Sequence, residues 1–107
     1  MDRRNSAQSS QAGASNAAEP LRAAVVGVGH LGKFHAEKYA GSNRAQLVGV
    51  VDVDEARSRA VGELLQTEWF TDYRRLLGRV DCVSVAVPTQ LHHPIAKDFL
   101  QAGVHVL

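Results

Sequence analysis

Residues 23–32 read Ala23-Ala24-Val25-Val26-Gly27-Val28-Gly29-His30-Leu31-Gly32, and Asp52 stands 20 residues beyond the last glycine. The four apolar residues show no in/out alternation, which is the pattern of a strand buried on both faces. The glycines then fit G-x-G-x-x-G, a spacing that is weak evidence alone in a chain with nine glycines. Its setting strengthens it. The motif follows a buried strand, opens a helix, and precedes a second apolar run, Leu47-Val48-Gly49-Val50-Val51, that ends in Asp52.

Each residue type in the motif has a physical purpose. Gly27 permits the tight strand-to-helix turn, Gly29 has no Cβ to obstruct a pyrophosphate, and Gly32 lets the helix lie close to the sheet. The free N–H groups near His30 and Leu31 supply donors and positive dipole. Asp52 can accept both ribose hydroxyls of an adenosine, which favours NAD. A 2′-phosphate would meet that carboxylate with like-charge repulsion, but Arg57 lies five residues on and leaves NADP open. The bland alternative is that the glycines only shape a turn and Asp52 only caps a helix.

Working outward, strand-like and helix-like segments alternate. A helix over Leu31 to Ala40 sets Leu31, Phe34 and Lys38 or His35 at helical spacing, and Gly41-Ser42-Asn43 ends it. Asp54 is placed to cap a helix whose apolar face is Ala56, Ala60, Val61, Leu64 and Leu65. Trp69-Phe70 is a very short strand, and Thr71 or Asp72 caps a helix with Tyr73, Leu76 and Leu77 that stops at Gly78. Cys82 to Val87 is a third apolar strand, closed by Pro88. His92 to Ala102 is a helix with Ile95, Ala96, Phe99 and Leu100 on one side, Pro94 in its first turn and Gly103 just past its end. Val104 to Leu107 begins another strand. Strand, helix, strand with short connections predicts an α/β fold: a doubly wound parallel sheet of the Rossmann type with right-handed crossovers, incomplete at its C-terminal end.

The loop Val87-Pro88-Thr89-Gln90-Leu91-His92 is expected over the crevice where the strand order reverses. Thr89 and His92 either hydrogen-bond the nicotinamide half of a cofactor or the substrate, or else cap the next helix. The five histidines show no metal-ligand spacing, so no metal site is expected, and His35 and His105 read as packed or surface residues.

Composition narrows the remaining classes. The chain has 107 residues, which allow one domain, with residues 1–20 read as a disordered tail and 21–107 as the dinucleotide-binding domain. Lys+Arg 12 against Asp+Glu 11 leaves a net charge of +1, too little basic excess for bulk attraction to nucleic acid or a membrane surface. Arg3-Arg4 lacks the apolar region that an export signal needs. The single Cys82 forms no internal disulfide and fits a reducing, cytoplasmic setting.

Residues 21–107 together resemble the N-terminal domain of the Gfo/Idh/MocA oxidoreductases. The resemblance is carried by Val25-Val26-Gly27-Val28-Gly29-His30-Leu31-Gly32 with His35, by Val48 to Asp52, by Thr71-Asp72-Tyr73 with Leu76-Leu77, by Asp81 to Thr89 with His92, and by Ala102 to Leu107. It implies an NAD(P)-dependent dehydrogenase or reductase acting on a sugar, cyclitol or nucleotide sugar. Carried over, Gly27, Gly29, His30, Leu31 and Gly32 line the pyrophosphate, Asp52 the adenosine ribose, and Pro88, Thr89 and His92 the nicotinamide side. In the family, the strand matching Val104 to Leu107 runs into a Glu-Lys-Pro motif whose lysine helps catalysis, and that motif does not appear here. The expectation is therefore a fragment that binds cofactor without turnover and presents an apolar surface and sheet edge prone to self-association. The alternative is a stand-alone NAD(H) sensor or interaction module, and a third reading is a fold remnant without binding.

Overall fold

The computed structural model describes residues 19–107. The expected tail, up to residue 18, lies outside them. Five strands alternate with helices: β1 (Leu21–Val26), α1 (His30–Ala40), β2 (Ala45–Val51), α2 (Glu55–Leu65), β3 (Glu68–Phe70), a 3₁₀ turn (Tyr73–Leu76), β4 (Cys82–Val85), α3 (Thr89–Gln101) and β5 (His105–Val106). All pairings are parallel, in the order β3-β2-β1-β4-β5. The order reverses between β1 and β4, which is where a doubly wound sheet opens its crevice.

Residues of β1 alternate between two cores, one on each face. Ala24 and Val26 belong with Val51, Val83, Val85, Leu76 and Phe99 under α3 and the 3₁₀ turn. Val25 packs with Val28, Ala36, Val50 and Val61 under α1 and α2. Because both faces are covered, the strands read as continuous apolar runs.

β2 breaks its own alternation once. Its register against β1 jumps between Ala23, opposite Leu47, and Ala24, opposite Gly49. Val48 and Gly49 consequently both face the Leu76 side: Val48 packs on that core, and a Cβ on Gly49 would sit 3.1 Å from Leu76 Cδ2. The bulge restores Val50 to the α1 face and Val51 to the α3 face, in step with Val25 and Val26.

Helix faces depart from the sequence expectations in an instructive way. On α1 the packed stripe is Gly32, His35, Ala36 and Tyr39, while Leu31 and Phe34 are exposed. On α2 it is Ser58, Val61, Gly62 and Leu65, with Ala56, Ala60 and Leu64 turned outward. Close approach explains both. A Cβ at Gly62 would lie 2.7 Å from Trp69 Cβ, so small residues take the contact and larger apolar ones are displaced. Ser58 is fully buried and satisfies its hydroxyl by donating to the Phe70 carbonyl (2.7 Å).

Three further expectations are corrected. The segment after Asp72 closes as a short 3₁₀ turn, with Asp72 accepting from the Arg74 N–H, and not as an α-helix. α3 starts three residues before His92, because Pro88 enters with φ −53° and its carbonyl accepts from the Leu91 N–H at 2.9 Å. Pro94 therefore falls in the second turn, and neither Thr89 nor His92 caps the helix. Elsewhere the signals hold: Asp54 caps α2 by accepting from the Arg57 N–H, and Gly103 follows α3 with φ +81°.

Phe99 is the largest fully buried side chain, at the centre of the α3-side core. Phe99→Ala should cost about 3–5 kcal/mol in a urea unfolding titration. Burial in β4 pushes the Cys82 thiol above its ordinary pKa. It stays protonated near neutral pH, so it should react with a thiol reagent such as DTNB only after denaturant unfolds the chain.

Candidate functional site

At the C-terminal end of the sheet a cleft of about 390 Å³ opens over the β1/β4 switch point, lined by Gly27, Gly29, Asp52, Arg57, Tyr73 and Pro88 among others. Its floor is the turn between β1 and α1. Gly27 adopts φ +90°, and a Cβ there would lie 2.4 Å from the Ala86 carbonyl oxygen of the neighbouring loop. Gly32 is more constrained still, since its Cβ would fall 1.6 Å from the Gly27 carbonyl oxygen. Gly29 differs from both. A Cβ on it would meet nothing within 4 Å, so its missing side chain leaves space on the cleft side and relieves no clash.

The three amides that open α1 form the electropositive part of the floor. The N-cap Gly29 offers no side-chain cap, and the first turn carries no acidic residue. The N–H groups of His30, Leu31 and Gly32 therefore have no side-chain cap. Such a terminus suits an anion. α2 is built oppositely, because Asp54 caps it and Glu55 occupies its first turn.

Asp52 joins the two turns. It is 8% exposed, accepts the Val28 N–H on Oδ2 (3.0 Å) and the Asp54 N–H on Oδ1 (2.9 Å), and lies 3.6 Å from Arg57 Nη1. Each oxygen keeps acceptor capacity after its one amide bond. That leaves a carboxylate fit to receive a pair of hydroxyls.

Arg57 and Leu91, both expected near the crevice from sequence, help to line the walls, and Val53, Thr71, Tyr73 and Ile95, which were not expected there, complete them. Val53 is 85% exposed and Leu91 47%, so apolar surface rims the opening as it would for a planar ring. Tyr73 donates its hydroxyl to Asp98 of α3, and that bond, with burial, holds its phenol above the usual range. Thr71 and Tyr73 follow β3, an element too short for hydrophobic periodicity to signal.

The expected site residues divide among three places. Gly27, Gly29, Asp52 and Pro88 line the cleft. His30 and Leu31 stand exposed at the start of α1, and Gly32 is buried beneath them. Thr89 and His92 lie in an adjoining depression with His93 and Ala96, which meets the cleft at Val87. His35 is a packed residue: its Nδ1 lies 3.3 Å from the Ser84 hydroxyl, which also hydrogen-bonds Tyr39 at 2.8 Å. Among the described residues no cluster of His, Cys, Asp or Glu could hold a metal, and no helix is long and apolar enough to cross a membrane.

Comparison with known proteins gives the family and its cofactor. The chain is 45% identical over 87 residues to a UDP-N-acetylglucosamine 3-dehydrogenase of Acidithiobacillus ferrooxidans, covering 81% of this chain and 27% of that one. It spans about a quarter of that relative's length. Among solved structures it resembles GenD2 from gentamicin A biosynthesis in complex with NAD, with TM-score 0.79, 35% identity and coverage of 83% of this chain and 26% of that one. It also resembles the WlbA dehydrogenase of Bordetella pertussis in complex with NADH and UDP-GlcNAcA, with TM-score 0.74, 30% identity and coverage of 81% and 28%. Residues 21–107 match the family described as "Oxidoreductase family, NAD-binding Rossmann fold", and the chain belongs to these Gfo/Idh/MocA oxidoreductases as their NAD-binding domain.

Proposed function

We propose that this cleft is the cofactor site of a dehydrogenase that moves hydride between NAD and a sugar, cyclitol or nucleotide-sugar substrate. The observation that carries the reading is the pairing of an uncapped α1 N-terminus with a buried, half-satisfied Asp52 across one cleft. The amides of His30, Leu31 and Gly32 receive the pyrophosphate, Gly29 lets it approach, and Asp52 takes the adenosine ribose hydroxyls. The nicotinamide is directed toward Pro88, Thr89 and His92, where the cleft meets the adjoining depression. NAD supplies the hydride acceptor.

The same groups bind without performing the proton transfer that accompanies oxidation of an alcohol. The titratable side chains lining the cleft are Asp52, Arg57 and Tyr73. Asp52 and Arg57 are paired with each other, and Tyr73 is held in its protonated form. None of these three is a ready base for a substrate hydroxyl, which leaves His92 and His93 of the adjoining depression as the candidates. The substrate's sugar-like character is supported by the relatives named above. The polypeptide alone should bind NAD without turnover, and measurable NAD-dependent turnover would overturn this.

Calorimetric titration with NAD tests this, and two glycine substitutions make it discriminating. Gly29→Ala should fold normally by circular dichroism and weaken NAD at least about tenfold, since its methyl enters the anion's space and nothing else. Gly32→Ala should lower the unfolding midpoint itself, because its methyl meets the Gly27 carbonyl. Unchanged NAD affinity in Gly29→Ala would sink the assignment of the pyrophosphate site.

A further inference from the structure

We infer that Asp98, which is not among the residues lining the cleft, is a positioning residue for cofactor binding: by accepting the Tyr73 hydroxyl it fixes the Tyr73 ring as part of the cleft wall. The inference rests on the cofactor reading above, and it concerns neither the α1 amides nor Asp52.

Two elements form this wall. Thr71 and Tyr73 come from the connection after β3, and Leu91 and Ile95 from α3. Leu91, Ile95 and Asp98 recur at steps of four and three, so they share one face of α3, with Asp98 beyond the stretch that reaches the cleft. Across from them, Tyr73 opens the 3₁₀ turn. Asp72 caps that turn and Leu76 is buried in the α3-side core, so the backbone is anchored on both sides of Tyr73.

The Tyr73 ring has less to hold it. It is half-buried and meets Phe99 at a tilt of 48°, with 5.8 Å between ring centroids. Such a contact leaves more than one staggered rotamer open, and the bond to Asp98 selects one. A phenol donating to a carboxylate makes a stronger bond than it would to a neutral acceptor. Arg74, the next residue, does not compete for Asp98, because Asp72 engages it at Nε and Nη2, each at 3.0 Å. A ligand that needs the ring in one place binds with an affinity scaled by the fraction of molecules that have it there. Asp98 keeps that fraction near one without touching the ligand.

Calorimetric titration of the full 107-residue chain with NAD, beside a urea unfolding curve for each variant, tests this. Tyr73→Phe keeps the ring and Asp98→Ala removes the acceptor, and each should weaken NAD about fivefold. Asp98→Asn keeps an acceptor oxygen and should lose no more than about twofold. The double variant Tyr73→Phe with Asp98→Ala should bind NAD as either single variant does, because the two groups act through one bond. If Asp98→Ala unfolds the chain, Tyr73→Phe against Asp98→Asn decides the matter. A loss that Asp98→Asn shares in full, or losses that add in the double variant, overturns the inference. So does a lowered unfolding midpoint with NAD affinity unchanged, which is the mark of a bond that holds only the fold; the cofactor reading would then stand. Failure of the unmodified chain to bind NAD overturns the cofactor reading, and this inference falls with it.

Discussion

A buried carboxylate bonded to two backbone amides holds the site together. Asp52 closes β2, yet its oxygens reach the Val28 amide in the turn after β1 and the Asp54 amide in the turn before α2. Two loops that are far apart in sequence are thereby fixed to each other by one side chain. A carboxylate taken out of water is costly unless its charge is answered, and here amide donors and a nearby guanidinium answer it. The arrangement leaves capacity to spare on the side that faces the cleft. The group that aligns the loops is therefore also the one with acceptor capacity open to the cleft.

The two helix N-termini at this edge of the sheet are electrostatic opposites. α1 begins with bare amides, and α2 begins with a side-chain cap and an extra carboxylate. An anion is therefore favoured at the start of α1 and disfavoured at the start of α2, so the acidic residues in the two first turns decide which terminus can take a phosphate.

Much of this was legible in the residues themselves. Gly27, Gly32 and Asp52 are recognisable because backbone constraints at a strand-to-helix turn leave glycine little competition, and because the offset to the next strand is set by one helix; Gly29, which no clash requires, is recognisable by its spacing alone. The helix faces were less legible. Leu31 and Phe34 satisfy a helical period and yet lie outside, since Gly32 needs the sheet and the helix cannot turn both ways. Thr89 and His92 were placed by chain proximity to the crevice, but α3 begins at Thr89 and carries them to the neighbouring depression. Tyr73 and Ile95 reach the cleft from elements far apart in sequence, and only tertiary packing assembles them. Periodicity says which side of an element is apolar; it does not say which close approach will claim that side.

The bulge in β2 bears on how this domain can change. Because successive side chains of a strand face opposite ways, both parity and length matter upstream of Asp52. The doubled facing of Val48 and Gly49 gives β2 an odd step that β1 lacks, and Val50, Val51 and Asp52 inherit their facing from it. A single residue gained or lost between Leu47 and Asp52 would turn the carboxylate away from the Val28 amide, and a change of two, which keeps the facing, would carry it about 6–7 Å along the strand. Descendants of this strand are therefore expected to keep the bulge whenever they keep the acid.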